Sequence, residues 1–313
     1  MELFVGLDVS LESVAICVLS SHGKVIKETT SFCEPDALIA CLQSLQGSVA
    51  CIGLEAGPLS QWLYRHLSEA GFETVLMETR QVKGALQAMP IKTDRRDAEG
   101  IARLLHMGWF RPVHCKSTSA QEMRALLSAR KTIVQATTNL ELSIRGILRN
   151  FGLKLGRVSK GGFEERVKEL AAGNLKLEAA AIPILDGRSA LRDELAGLEK
   201  LLGNLARADR LCLLFMTMPG VGPIVALTVK AAIDDPDRFR SSKDVGPWAG
   251  LTPRREQSGE RDIVGSISRA GDAPTLCKCF WFIWPGHWLV PPHLRGQVGP
   301  CGTDLGRAGE SRR

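Results

Sequence analysis

The stretch MELFVGLDVSLESVAICVLSSHGKVIKETT, residues 1–30, decides the fold. Residues 3–9 and 13–20 are short apolar runs rich in β-branched side chains, and Ser21-His22-Gly23-Lys24 turns the chain into a third run near 25–30. Runs of this kind, separated by turn residues, form strands. The three make a hairpin meander, so the sheet begins antiparallel.

Downstream the pattern becomes an alternation. A helix is expected near 35–45, a strand at 49–55, a helix at 59–70 and a strand at 73–78, and strands alternating with helices build a sheet covered by helices. A meander followed by such units predicts an α/β fold with a ribonuclease-H-like mixed sheet over residues 1–112.

From 119 to 206 the character changes. Leu126, Ile133, Leu140 and Ile147 recur every seven residues, and Leu191, Leu195, Leu198, Leu202 and Leu205 step by four and three. Both stretches have the spacing of coiled-coil seams. A Gly- and Lys-rich segment at 152–173 separates them, which suits an antiparallel helical hairpin, a dimerising pair or two ordinary bundle helices. Residues 113–210 are therefore expected to form an α-helical coiled-coil region. Residues 211–275, rich in Gly, Pro and Arg, form a mainly helical third domain. Residues 276–313 hold three of the six tryptophans and three of the nine cysteines with no helical or strand period. An out-of-frame reading of the original gene would produce such a tail.

With 313 residues, 44% hydrophobic and 24% charged, the chain can form two or three cored domains. The formal net charge is +6, yet residues 1–112 carry ten Lys and Arg against thirteen Asp and Glu. The basic excess thus lies downstream, where a polyanion would be gripped. The cysteines show no paired framework, which reads as a reducing cytoplasm. No basic leader precedes an apolar core, and no window approaches the roughly 18 apolar residues of a membrane span. Secretion and membrane insertion are not expected.

Candidate chemistry begins with Asp8, which ends the buried-looking strand FVGLDV, and Glu55, which ends VACIGLE on what should be a neighbouring strand. A carboxylate in such a place costs several kcal/mol of desolvation unless a cation or donors meet it. Taken alone, either acid reads better as a cap or turn residue. The third piece is KTDRRD, residues 92–97, opening the amphipathic stretch DAEGIARLLHMG. Asp94 and Asp97 lie three apart on one helix face, and steps of three and four continue to Ile101 and Leu104. Acids that complement a helix dipole explain Asp94 well and Asp97 less well. Four carboxylates from two strand ends and one helix make a hard oxygen site suited to Mg²⁺ or Mn²⁺. Two such ions can stabilise both oxygens of a phosphodiester displacement.

In the third domain, MPGVGP at 218–223 enters an apolar helix. Gly220 and Gly222 there could expose backbone N–H groups to a phosphate, as in a helix–hairpin–helix turn, or simply join two helices. Arg254, Arg255, Arg261 and Arg269 cluster around Ser258 and Ser268. Their density suits a DNA backbone, although exposed arginines are commonly just solvated charge.

These residues carry a resemblance. GLDVSLES, IGLEAGP, IKTDRRDAEGIARLL, the long stretch from MPGVGPIVALTVKAAI to GLTPRREQSGE, and GSISRAGD, in this order, resemble insertion-sequence transposases of the Piv/MooV type, the IS110 family of bridge-RNA-guided DEDD recombinases. The resemblance implies a RuvC-like first domain and a metal cluster of Asp8, Glu55, Asp94 and Asp97. It also implies a serine nucleophile at Ser258, a coiled coil that makes a dimer or tetramer, and a structured guide RNA pairing with DNA. The departure is the tail, because family members continue beyond the ISxxGD segment with a helical stretch that is absent here.

The reading that follows is a DNA transposase that cuts and rejoins strands with the four acids and Ser258. One rival is a RuvC-like nuclease in which metal-activated water attacks and Ser258 is structural. Another is an inactive nucleic-acid-binding remnant, which the tail favours.

Overall fold

The structure is a computed structural model and describes residues 1–87, 92–159, 161–259, 261–267 and 271. Two compact units divide the chain, Met1–Lys116 and Ser117–Arg313.

In the first unit, β1 (Glu2–Val9), β2 (Ser13–Ser20) and β3 (Val25–Phe32) form the expected meander. There follow α1 (Pro35–Gln43), β4 (Ser48–Glu55), α2 (Ser60–Glu69), β5 (Thr74–Met77), α3 (Thr79–Leu86) and α4 (Asp94–His106). The sheet order is β3-β2-β1-β4-β5. β1 pairs antiparallel with β2 and parallel with β4, and β5 adds parallel to β4. This is the mixed sheet of a ribonuclease-H-like fold.

Side chains alternate across a strand, and the two faces are covered by different helices. Leu3, Val5 and Leu7 of β1 join Ile52 and Leu54 of β4 in a core closed by Leu38 and Leu42 of α1 and Leu63 and Leu67 of α2. On the other face, Ala98, Ile101, Ala102 and Leu105 of α4 pack on Cys17, Leu19 and Met77. Their spacing is the apolar stripe of an amphipathic helix. It closes over the sheet because Gly6 and Gly53 present no side chain there. A Cβ on Gly6 would collide with the α4 backbone and one on Gly53 with Met77.

The second unit opens with α5 (Thr118–Asn150), capped by the Ser117 hydroxyl, and continues through α6 (Phe163–Ala171) to α7 (Leu175–Ala208). Arg130 pairs with Glu199 and Glu141 with Arg188, so one helix rises as the other falls and the two form an antiparallel hairpin. Arg188 has only 1% of its side chain exposed. It bonds Glu141 and Glu164 and lies 4.6 Å over the Phe163 ring. Two partly exposed carboxylate partners and an aromatic face offset the cost of placing a guanidinium in the interior.

Beyond the hairpin come α8 (Arg210–Met216), α9 (Pro223–Ile233), two 3-10 turns at Pro236–Arg238 and Ser242–Asp244, and α10 (Val245–Trp248). A two-stranded hairpin of β6 (Pro253–Ser258) and β7 (Arg261–Ile267) follows. Among the described residues the region is helical or turn apart from this hairpin, which Gly259 at its tip, with φ +57°, favours. The tail at 276–313 lies outside the described residues. Among the described residues, no helix is long and apolar enough to cross a membrane, and the described cysteines form no disulfide.

Candidate active site

The parallel register of β1 and β4 pairs Leu7 with Leu54. Asp8 and Glu55 each come one residue later, at neighbouring carboxyl ends of the strands, on the α4 face. Thr93 caps α4 by accepting from the Arg96 amide. Asp94 and Asp97 occupy the first turn, one turn ahead of Ala98 and Ile101 on the same stripe. The helix is anchored on the sheet by its apolar residues, and its acids overhang the strand ends where Asp8 and Glu55 lie.

Electrostatics register this convergence. The Asp8 pKa is raised to about 6, first by burial and then by repulsion from Asp97, Asp94 and Glu55, with Lys92 opposing. Glu55 is also raised, chiefly by burial; a hydrogen bond from Thr79 works against this, and Asp97 adds to it. The one Thr79 hydroxyl proton is shared between the Glu55 carboxylate and the Ala56 carbonyl, 2.8 Å away, which fixes Thr79 beside the end of β4. Among the described residues, no three carboxylates stand close enough to hold an ion as they are. The donor set, all carboxylate oxygen with hydroxyls nearby, fits a hard divalent cation and disfavours a soft one.

The remaining candidates lie in the second unit. Ser258 is the last residue of β6, opposite Arg261 and followed by Gly259, whose φ is +57°. Arg255 donates two hydrogen bonds to Asp262 across the hairpin at 2.8 and 2.5 Å, and this pair holds Asp262 below the usual carboxylate range. Arg254 stands on β6 in the same hairpin. Ser268 and Arg269 lie outside the described residues. Gly220, with φ +85°, and Gly222, the N-cap of α9, form the turn between α8 and α9. The Val221 amide is already bonded to the Met218 carbonyl within that turn.

Sequence reasoning passed over Gly6, Gly53 and Thr79. The strand glycines carried a signal, since glycine inside a strand marks a close backbone approach.

The chain matches two family models. An IS110 DEDD transposase model covers residues 5–152. A model described as Transposase IS116/IS110/IS902 family covers residues 212–283. The chain is also 31% identical over 272 residues to the transposase for insertion sequence element IS1111A of Coxiella burnetii, covering 85% of this chain and 73% of that relative. The chain belongs to the IS110 family of transposases. Another member, the transposase for insertion sequence element IS1328 of Yersinia enterocolitica, is 23% identical over 86% of this chain and 79% of its own length. Among solved structures, T. thermophilus RuvC in complex with a Holliday junction substrate aligns with 36% of this chain and 100% of that chain. The identity is 13% and the TM-score 0.29, so the fold assignment rests on the strand order itself. The four candidate acids lie inside the first matched segment of this transposase and Ser258 inside the second.

Proposed function

We propose that this transposase cuts and rejoins DNA strands at the carboxylate cluster. The observation that carries the reading is the convergence of Glu55, Asp94 and Asp97 on a half-buried Asp8, whose proton is held up to about 6. Two acids at strand ends facing two in the first turn of α4 repel one another unless they serve a ligand, and the ligand their chemistry fits is Mg²⁺ or Mn²⁺. When bound, the metal supplies charge stabilisation to the attacked phosphate and to the oxygen that departs.

Ser258 is the proposed nucleophile. Its hydroxyl gives up a proton to a base, its oxygen forms a bond to phosphorus, and the bond from phosphorus to the departing strand oxygen breaks. That oxygen takes up a proton. Attack by a strand hydroxyl on the phosphoserine then rejoins the DNA and returns the serine. The position at the tip of an exposed hairpin, next to a glycine, gives a phosphate unhindered access. The same position also favours a second reading, in which Ser258 is an ordinary turn serine and water attacks.

The partners proposed are DNA, a structured guide RNA and further copies of the chain, as in the family it belongs to. Support for self-association comes from the middle of the hairpin, where Leu126, Ile133, Leu191, Leu195 and Leu198 remain only partly buried. Asp8→Asn tests the central reading: cleavage of a donor or target DNA should be lost, at least a hundredfold, while DNA affinity stays within about twofold. A mutant that cuts as well as the parent would remove the acids from the chemistry.

A further inference from the structure

A groove of about 350 Å³ opens beside the acids, lined among others by Asp8, Ser10, Ser13, Ala15, Thr30 and Arg95. Its origin lies in the strand register. Asp8 faces Ala15 across β1 and β2, and Ala15 faces Thr30 across β2 and β3. Directly opposed residues share a face of the sheet, so a single methyl lies between a carboxylate and a threonine and leaves a trough. The next row, Gly6, Cys17 and Glu28, runs under α4. The trough therefore starts at the acid cluster, is bounded by α4 on one side and ends at β3, the edge strand of the sheet.

The chemistry of the lining points to one kind of occupant. The Ser10 hydroxyl donates to the Ser13 carbonyl at 2.7 Å and keeps its lone pairs, while the hydroxyls of Ser13 and Thr30 suit the sugar and phosphate oxygens of a nucleic acid, which neutral donors as well as charges meet. Four nearby carboxylates repel a phosphate, and Arg95, between Asp94 and Asp97 in sequence, is a cation that lines the groove beside them. Its side chain is 74% exposed yet fixed through Nη2 by Glu28, whose own side chain is 19% exposed. A guanidinium carries five donors, so one bonded nitrogen leaves the rest of the fork for a phosphate. The volume is that of a small-ligand site and suits one nucleotide rather than a duplex.

Resting on the reading of the acids as the cleavage centre, we propose that this groove receives one nucleotide of the strand being cut, with Arg95 on its phosphate and Glu28 as the residue that positions Arg95. The strand would leave the acids over Ala15 and Thr30 toward the free edge of β3.

The test uses the full chain and a single-stranded oligonucleotide carrying a photoactivatable thiothymidine, with crosslinked peptides mapped by mass spectrometry. Crosslinks are expected in the peptides holding Ser10, Ser13 and Thr30. Ala15→Phe, which fills the trough, should reduce them about tenfold, with folding checked by circular dichroism. Arg95→Ala touches only an exposed side chain and serves if the first variant is unstable. It should lower the slope of log affinity against log salt by about 0.7, the increment for one single-strand phosphate contact, and Arg95→Lys should restore most of that slope. Crosslinks that map elsewhere, or an unchanged salt slope in Arg95→Ala, would overturn the proposal. Crosslinks that stay in the groove of Asp8→Asn, while cleavage persists there, would uphold the groove and remove the acids as the cutting centre. Normal cleavage by both groove variants would do the reverse.

Discussion

Gly6 and Ala98 approach so closely that a methyl group on Gly6 would stand 2.3 Å from the Ala98 carbonyl oxygen and 2.4 Å from the Ala102 amide nitrogen. Backbone cannot swing aside as a side chain can, so Gly6→Ala must lift α4 off the sheet and carry Asp94 and Asp97 away from Asp8. Overpacking of this kind costs about 1–3 kcal/mol. The expected outcome is a lower melting temperature together with loss of metal-dependent cleavage. Gly146→Ala is the matched control: no atom stands within 4 Å of its added methyl, it lies inside α5, and it should stabilise by up to about 1 kcal/mol.

The protonation of Asp8 makes a signed prediction about pH. Its pKa, raised to about 6, lies above the value of about 3.9 in an unfolded chain, so the folded protein binds this proton more tightly. Stability from this group is complete below about pH 4, falls as pH rises to about 6 and is flat beyond. The loss is on the order of 3 kcal/mol at most. Thermal melts of metal-free protein should follow this slope, and Asp8→Asn should flatten it. Added Mg²⁺ should raise the melting temperature more at pH 7 than at pH 5; an equal rise at both would show that the ion does not bind the ionised cluster.

A covalent adduct distinguishes serine attack from water attack. DNA trapped on the parent protein should carry a phosphoserine that peptide mass spectrometry maps to Ser258, and Ser258→Ala should form none. Attachment at Ser268 would move the nucleophile to that residue. Cleavage without any adduct in parent and mutant alike would assign the attack to water.

The partly buried seam of the helical hairpin predicts association. Sedimentation of the full chain should give a dimer or larger, and Ile133→Glu combined with Leu195→Glu should shift it to monomer with helical content unchanged. A parent protein that sediments as monomer at micromolar concentration would confine the seam to pairing within one chain.

The place of each of the four acids on its strand or helix was legible in the sequence because the logic is local. Asp8 and Glu55 end apolar strands, and Asp94 and Asp97 continue the stripe of Ile101 and Leu104, so the placement of each could be read from its own neighbours. What brings them together was not legible. The contact of Gly6 with Ala98 joins residues far apart in the chain, and a strand glycine looks like a weak propensity until its partner is known. Arg188 was hidden for a related reason: in a helix of mixed polarity a lone arginine reads as solvated, and only the partners Glu141, Glu164 and Phe163 make it an interior residue. The heptads of α5 and α7 gave the helices but left open whether each paired with the other or with another chain. Two crossing ion pairs, Arg130 with Glu199 and Glu141 with Arg188, settle the pairing within the chain.

The order in which the chain leaves the ribosome gives the α4 lid another meaning. Synthesis runs from the amino terminus and domains fold as units, so β1 to β5 emerge well before Asp94–His106. Until then the α4 face of the sheet is bare, Asp8 and Glu55 lack their two partner acids, and the loop that must close is long enough to slow the last contact. The nascent polypeptide therefore holds half a carboxylate set while its sheet is still sticky, and the four candidate acids are complete only at the step that seals that surface. A cell making this protein is exposed first to an aggregation hazard and only afterwards to a DNA-cutting one.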